Sequence, residues 1–317
     1  MKVTVVTTIA QHSKGYDLHL QNLRWAINPN LILVQTFKKW NLSKHEDVKL
    51  IEVDSNPYEF YFFWDHIDLR PYLPETDVFL FTEQDILFTR PIRANTQQIY
   101  PCLESNYLAI FDKGIKLYPR IWEGACFIPK QFIEDAINDG ILFGSHSKKN
   151  HKLYDTVKYL NTVVAGNSIA IKDYLSSYKF FDTLFELSLY CFHKQYSHME
   201  INENFTDNYD WGRDCVHLRG IDMMCYECEE LYNNPSAIEL VIPRNIAKGS
   251  IKALRRMIND CALALLLCGA WEPNEETRAL LLRGDCSKIL NKVSMLSDNC
   301  DLWMTKKQIE ILRWAND

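Results

Sequence analysis

Short apolar segments rich in β-branched and aromatic residues recur through the first 90 residues, and this alternation constrains the fold most strongly. The predicted strands cover residues 2–9, 31–36, 48–53 and 78–81, each bounded by turn formers or a helical segment. Between the first two strands, Leu20, Leu23 and Ile27 recur at helical spacing, and Pro29 follows as a stop. The alternation predicts an α/β fold with a mostly parallel central sheet flanked by helices.

Two carboxylates close the fourth predicted strand, where Glu83 and Asp85 are separated by one residue. In open α/β sheets, ligands bind outside the carboxyl ends of the strands, where loops lift polar groups out of the core. Mg2+ and Mn2+ take oxygen ligands, usually one or two carboxylates with water and substrate phosphate. The turn therefore indicates a divalent-metal site, although an isolated acid–x–acid pair is also typical of a solvated strand end.

The remaining segments complete the domain prediction. Further strands are predicted at residues 107–111, 122–129 and 215–218, and helices at 58–69, 131–138 and near Phe181. From about residue 246 the pattern is entirely helical, with helices predicted within residues 251–265, 275–283 and 286–296. Thr305 with Gln308 resembles a capping box for a last helix. We predict a catalytic domain over residues 1–240 and an all-helical extension over 241–317 that serves packing or homo-oligomer formation.

Composition excludes some classes of partner. The chain has 317 residues, of which 47% are hydrophobic, enough for one large domain or one domain plus an appendage. A net charge of -6 provides no basic surplus for nucleic acid as the main partner. The longest apolar run, residues 261–271, is too short to span a membrane, which leaves peripheral membrane contact open.

Cysteine usage bears on the compartment and on one rival metal site. Ten scattered cysteines in a chain of this size, together with an N-terminus that lacks a signal-peptide pattern, predict a cytoplasmic protein. Cys215, His217, Cys225 and Cys228 are accepted zinc ligands, but their spacing is unusual for a structural zinc site.

The order of these features resembles that of GT-A-fold glycosyltransferases over about residues 1–220. The resemblance is carried by the first strand, Asp54, the Glu83-Gln84-Asp85 turn, residues 122–127, residues 181–186 and the turn at 217–220. In that family an acidic turn holds Mn2+ or Mg2+ against the diphosphate of a nucleotide sugar, and a later histidine can complete the metal shell. The resemblance implies a nucleotide-sugar half over about residues 1–100 and an acceptor half over about 101–240, although the first acid here is Glu83 instead of aspartate.

The chemistry of sugar transfer explains such a metal turn. Negative charge grows on the leaving phosphate as the sugar–diphosphate bond breaks, and a metal bridging its oxygens stabilises that charge. We expect Asp85 to be the direct ligand and Glu83 to reach the metal through water or to contact the ribose. His217 is the third candidate ligand, since imidazole tolerates Mn2+, although a lone histidine is also a common structural residue.

Transfer with inversion also needs a general base for the acceptor hydroxyl, and a positioned carboxylate suits that task. The resemblance places it at the start of a helix after the acceptor-side glycine segment, where Asp182 lies, with Glu186 and Glu123 as rivals. Asp182 is equally explained as a first-turn acid that interacts with the helix dipole. A retaining enzyme would need no base.

Contacts to the nucleotide follow from the same resemblance. It implies roles for Thr7 and Thr8 at the end of the first strand and for Asp54 at the end of the third, and Asp65 is a further candidate for a base or ribose contact. Arg219 is a candidate partner for a phosphate, because its guanidinium matches phosphate oxygens in a bidentate way.

The sequence therefore favours a metal-dependent glycosyltransferase that uses a UDP- or GDP-sugar and a glycan or lipid-linked acceptor, with inversion. A sugar-phosphate nucleotidyltransferase shares the sheet and the metal chemistry. Such enzymes usually carry a glycine-rich, basic loop soon after the first strand, where only Lys14 and Gly15 occur here. A non-catalytic scaffold with a decayed GT-A site is the other alternative.

Overall fold

The computed structural model describes residues 1–9, 13–54, 67–94, 96, 100–104, 120–141, 143, 146–147, 180–181, 187, 190, 214–218, 263–264, 266–269, 274–275 and 287–316. Its strands are β1 Val3–Ile9, β2 Leu31–Phe37, β3 Val48–Val53, β4 Val78–Glu83, β5 Ile86–Phe88, β6 Tyr100–Glu104, β7 Arg120–Pro129, β8 His146–Ser147, β9 Phe180–Phe181 and β10 Cys215–His217. Its helices are α1 Ser13–Ala26, α2 Lys130–Asn138, α3 Ser287–Ser297 and α4 Lys306–Asn316, with short 3-10 helices at Lys38–Trp40, Arg70–Glu75 and Cys300–Leu302.

A mixed sheet with the strand order β3-β2-β1-β4-β7-β6 organises the molecule. The strands β3, β2, β1 and β4 are mutually parallel, whereas β7 runs antiparallel to both of its neighbours. The parallel pairing of β1 with β2 requires a crossover, and α1 provides it. The predicted α/β class with a mostly parallel sheet flanked by helices is confirmed.

The first hydrophobic core lies between this sheet and α1. Val5 of β1 and Leu80 of β4 are register partners, and both belong to a buried cluster with Leu20 and Leu23 of the helix. All four side chains are fully buried. The helical spacing noted in the sequence therefore marks the face of α1 that packs on the sheet.

A second core joins the C-terminal helices to the rest of the protein. Leu87 of β5 and Val216 of β10 are buried in one cluster with Val293 of α3 and Leu312 of α4. In addition, Trp25 of α1 stacks on Trp303 with ring centroids 5.5 Å apart. Helices α3 and α4 thus pack directly against elements of the N-terminal half, while the predicted boundary near residue 240 lies outside the described residues.

Most local predictions that fall on described residues are confirmed. The four strands of the first 90 residues appear within one or two residues of their predicted bounds, and α2 and α3 match the helices predicted there. The capping box is present, because Thr305 N–H donates to Oε1 of Gln308 at 2.8 Å and Gln308 N–H donates to Oγ1 of Thr305 at 3.3 Å. The strand at 107–111 and the predicted helices within 251–265 and 275–283 fall largely or wholly outside the described residues.

Other elements differ from the prediction in their bounds or extent. Residues 67–69, the end of the helix predicted at 58–69, are not helical and lead into a 3-10 helix, Arg70–Glu75, while residues 58–66 lie outside the described part of the chain. Phe181 itself ends the short strand β9 and pairs with His146, while Leu187 and Tyr190, within the region predicted to contain a helix, are helical. The strand predicted at 122–129 is confirmed as β7, which begins two residues earlier and pairs with β4 on one side and β6 on the other.

Candidate metal centre

The acidic turn links the end of a central strand to a short strand of a second sheet. Glu83 is the last residue of β4, and Asp85 directly precedes β5. Phe79 and Phe81 in β4 are fully buried between the neighbouring strands β1 and β7. The turn is therefore attached to one of the best-anchored segments of the sheet.

His217 reaches this turn through strand pairing. In the antiparallel ladder between β10 and β5, His217 pairs with Ile86 and Cys215 pairs with Phe88. The ladder is extended by the Leu218 N–H, which donates to the carbonyl of Asp85 at 2.8 Å. His217 is consequently placed beside the carboxylate of Asp85, although 132 positions separate the two residues in the sequence.

The three side chains form a compact group. Nε2 of His217 lies 2.8 Å from Oδ2 of Asp85, and one ligand atom each from Glu83, Asp85 and His217 lie within 4.8 Å of one another. Asp85 is fully buried and His217 is 7% exposed, whereas Glu83 is partly exposed. A ligand would therefore approach the group from the side of Glu83.

The donor set and its spacing fit a divalent cation. Bonds of about 2.1 Å in octahedral geometry place adjacent ligand atoms about 3 Å apart, close to the Asp85–His217 separation. Two carboxylates and one imidazole combine oxygen donors preferred by Mg2+ and Mn2+ with a nitrogen donor that Mn2+ accepts.

The group lies at the topological switch point of the sheet. The strands β2 and β3 lie on one side of β1 and β4 lies on the other, so the direction in which successive strands are added reverses beside β1. Thr8 and Glu83 are register partners across β1 and β4, and their side chains share one face. Thr8 is buried, and its hydroxyl forms no hydrogen bond with the described residues. Ligands of open α/β sheets bind in the crevice at such a point.

The predicted nucleotide contacts occupy different surroundings. Thr7 faces α1, is fully buried, and its Oγ1 lies 3.3 Å from Nε2 of His19. Asp54 is exposed and ion-paired with Lys38, whose hydrogen bond lowers the pKa of the Asp54 carboxyl. At three strand spacings, Asp54 lies about 14 Å from β4 along the same edge. Their roles in nucleotide binding stay predictions.

Glu123 is the one predicted base that the structure describes. It lies in β7, two residues before Ala125, which pairs with Thr82 of β4. Its backbone is thus at the same edge of the sheet as Glu83. The other predicted site residues, Asp65, Asp182, Glu186 and Arg219, lie outside the described residues.

Sequence reasoning missed two polar residues of α1 that support the turn. Asn22 donates to the carbonyl of Phe88 at 2.9 Å and accepts from the Phe88 N–H at 2.7 Å, so its carboxamide acts as a further strand partner for β5. His19 is fully buried, and desolvation lowers its pKa to about 4 against the opposing effect of a hydrogen bond to the Ile86 backbone. Both residues lie between Leu18 and Leu23, on a helix segment whose leucines are buried, and this position could have indicated that their polar side chains are buried and hydrogen-bonded.

Comparison with known proteins identifies no family. No family model matches the sequence, and a search of curated proteins finds no significant match. Among the helices within the described residues, none combines the length and apolarity needed to cross a membrane. The group formed by Glu83, Asp85 and His217 is therefore the feature of the molecule that bears most directly on function.

Proposed function

We propose that this protein is a metal-dependent glycosyltransferase that moves a sugar from a UDP- or GDP-sugar onto a glycan or lipid-linked acceptor. The observation that carries the proposal is the convergence of Glu83, Asp85 and His217 at the carboxyl end of β4. Metal ligands at the switch point of a parallel sheet suit a substrate whose phosphates need a cation and whose nucleoside lies across the strand ends.

Each side chain has a distinct part in this proposal. Asp85 and His217 would hold the cation, because they are buried and already adjacent. Glu83, more exposed, would complete the shell directly or through water. When bound, Mn2+ or Mg2+ supplies Lewis-acid stabilisation of the charge that grows on the leaving diphosphate.

The acceptor side requires a carboxylate if the transfer inverts the anomeric centre. The backbone position of Glu123 at the Glu83 edge supports it as a candidate, and Asp182 and Glu186 remain candidates on the resemblance. The base has to remove the proton of the acceptor hydroxyl while the anomeric carbon gains oxocarbenium character. Replacing each carboxylate by its amide in turn would identify the base by loss of transfer with donor binding retained.

A donor-hydrolysis screen tests the proposal. The full chain is incubated with UDP-, GDP- and CMP-sugars, with Mn2+, with Mg2+ or with EDTA, and nucleotide release is measured. We expect turnover with one donor class that requires metal and is lost in Asp85→Asn. The control is Glu46→Gln, since Glu46 is an exposed acid just before β3, at the opposite end of the parallel strands from the turn. Full activity in EDTA would contradict the metal assignment.

The same assay separates the two alternatives. A sugar-phosphate nucleotidyltransferase would release pyrophosphate from a nucleoside triphosphate and a sugar 1-phosphate, and would leave nucleotide sugars unhydrolysed. A scaffold with a decayed site would show no turnover of either substrate set. An unchanged melting temperature on adding UDP or GDP with Mn2+ would further favour the scaffold.

A further inference from the structure

Helix α3 from the C-terminal region contacts the backbone of the candidate metal ligand. The ammonium Nζ of Lys292 donates a hydrogen bond to the carbonyl oxygen of His217 at 2.7 Å. Lys292 is half-buried, and the next residue, Val293, is in the second core with Val216 of β10. The helix is therefore packed against β10, and the contact does not depend on a loose surface side chain.

A second contact from the same region secures the other end of the ladder between β5 and β10. Nδ2 of Asn299 donates to the carbonyl of Thr89 at 2.9 Å, and the Thr89 N–H donates to the carbonyl of Asp214 at 3.0 Å. The ladder between these ends has only three residue pairs. An isolated two-stranded ribbon of this length is not stable in water, so the neighbouring helices must hold it in place.

The position of His217 thus depends on groups from three parts of the chain. Its strand is paired with β5, the following Leu218 is bonded to Asp85, and its own carbonyl accepts from Lys292. The backbone of His217 is restrained on both sides, which sets where the imidazole can lie relative to Asp85. Groups that orient a metal ligand commonly change metal affinity by 10- to 100-fold when removed.

We propose that Lys292 is a positioning residue for the metal site, and that helices α3 and α4 are a structural part of that site. This inference rests on the metal binding proposed above. It assigns to the C-terminal helices a role in the site itself, where packing or oligomer formation was expected from the sequence.

The direction of the change in metal affinity distinguishes a positioning role of Lys292 from an effect of its charge. Lys292 is a cation near a site proposed to bind a cation, so an effect of charge alone predicts tighter metal binding when the ammonium is removed. A positioning role predicts weaker binding, because the carbonyl of His217 loses its donor and the strand gains freedom. The two explanations therefore predict changes of opposite direction.

Mn2+ titration followed by electron paramagnetic resonance tests the inference in the full chain. We expect Lys292→Met to weaken Mn2+ binding on the order of tenfold. Lys292→Arg keeps a donor and a charge and should stay within about twofold of the unsubstituted protein. Lys44→Met, the same change at an exposed residue of the segment before β3, is the matched control and should have no effect.

Two results would overturn the inference. Tighter or unchanged Mn2+ binding in Lys292→Met, with Mn2+ binding intact in the unsubstituted protein, would remove the positioning role and leave the metal site standing. Absence of Mn2+ binding in the unsubstituted protein would remove the metal site and the inference together. If Lys292→Met does not fold, Lys292→Gln provides the comparison, since its shorter polar side chain suits a half-buried position but does not reach the carbonyl.

Discussion

Oδ2 of Asp85 lies 2.8 Å from Nε2 of His217, although the two residues are 132 positions apart in the sequence. The pairing of β5 with β10 creates this contact, because it sets His217 opposite Ile86, the residue after the aspartate. A hydrogen bond between these two atoms can form with or without a metal. Glu83 within 4.8 Å is the feature that favours a cation site over a simple buried pair.

The two acids of the turn are predicted to differ in their effect on metal affinity. Asp85→Asn should weaken Mn2+ binding by on the order of 100-fold, about 2.7 kcal/mol, because it removes the charge of a fully buried ligand. Glu83→Gln should weaken Mn2+ binding by about tenfold, since water can replace a partly exposed ligand. Titration with Mn2+ measures both, with Glu46→Gln, at an exposed residue before β3, as control. Equal losses at the two acids would contradict the assigned roles.

Direct coordination by His217 has a spectroscopic signature. Nitrogen couplings from an imidazole should appear in pulsed electron paramagnetic resonance spectra of the Mn2+-loaded protein. In His217→Gln these couplings should vanish, while a weaker Mn2+ signal from the two carboxylates persists. A nitrogen coupling that survives in His217→Gln would assign the ligand to another histidine of the chain.

The buried His19 should make stability depend on pH. Its folded-state pKa is lowered to about 4 by desolvation, from an ordinary value of 6.5. Between these values the unfolded chain binds a proton that the folded protein does not, so the free energy of unfolding decreases as pH falls from 6.5 toward 4. One proton corresponds to about 1.4 kcal/mol per pH unit, or about 3 kcal/mol over the whole interval.

Urea denaturation at several pH values between 6.5 and 4 measures this dependence. In His19→Gln the slope of unfolding free energy against pH should decrease by about one proton over that interval. The loss of the contact with Thr7 changes absolute stability but leaves this difference in slope intact. Identical slopes of unfolding free energy against pH in the two proteins would contradict the lowered pKa, because His19 would then take up its proton over the same pH range in the folded and unfolded states.

The buried carboxamide of Asn22 should make a large contribution to the free energy of unfolding. Asn22→Leu leaves the buried N–H and carbonyl of Phe88 without the partners that the carboxamide provides. Unsatisfied buried backbone groups cost about 1–3 kcal/mol each, so we expect a loss of about 2–4 kcal/mol in unfolding free energy. Asn291→Leu, on an exposed position of α3, should change it by less than about 0.5 kcal/mol.

Several elements follow from local sequence for a clear physical reason. β4 is buried on both faces, so its residues 78–81 are continuously apolar, and the polar residues Thr82 and Glu83 mark its carboxyl end. The capping box of α4 likewise involves only Thr305 and Gln308, three residues apart. Such features are formed by near neighbours, and near neighbours are what a sequence pattern records.

Other elements escaped prediction because distant partners determine them. β6 contains Pro101, which argues against a strand by local rules, but its place at the edge of the sheet tolerates a residue without an N–H donor. The short strand β9 was not predicted either, and its two residues pair with His146 and Ser147. In both cases the strand forms because another part of the chain supplies its hydrogen bonds.

The features of the candidate site can also be separated into those that local sequence predicts and those that distant partners determine. The sequence by itself determined the α/β class, the strand that ends at Glu83 and the acidic turn with Asp85, because periodicity and turn chemistry are local properties. Only the tertiary structure decided that His217 meets Asp85 and that Lys292 holds the carbonyl of His217. Those contacts depend on which strands pair and which helices pack, and that choice is made by the burial and hydrogen bonding of the whole chain.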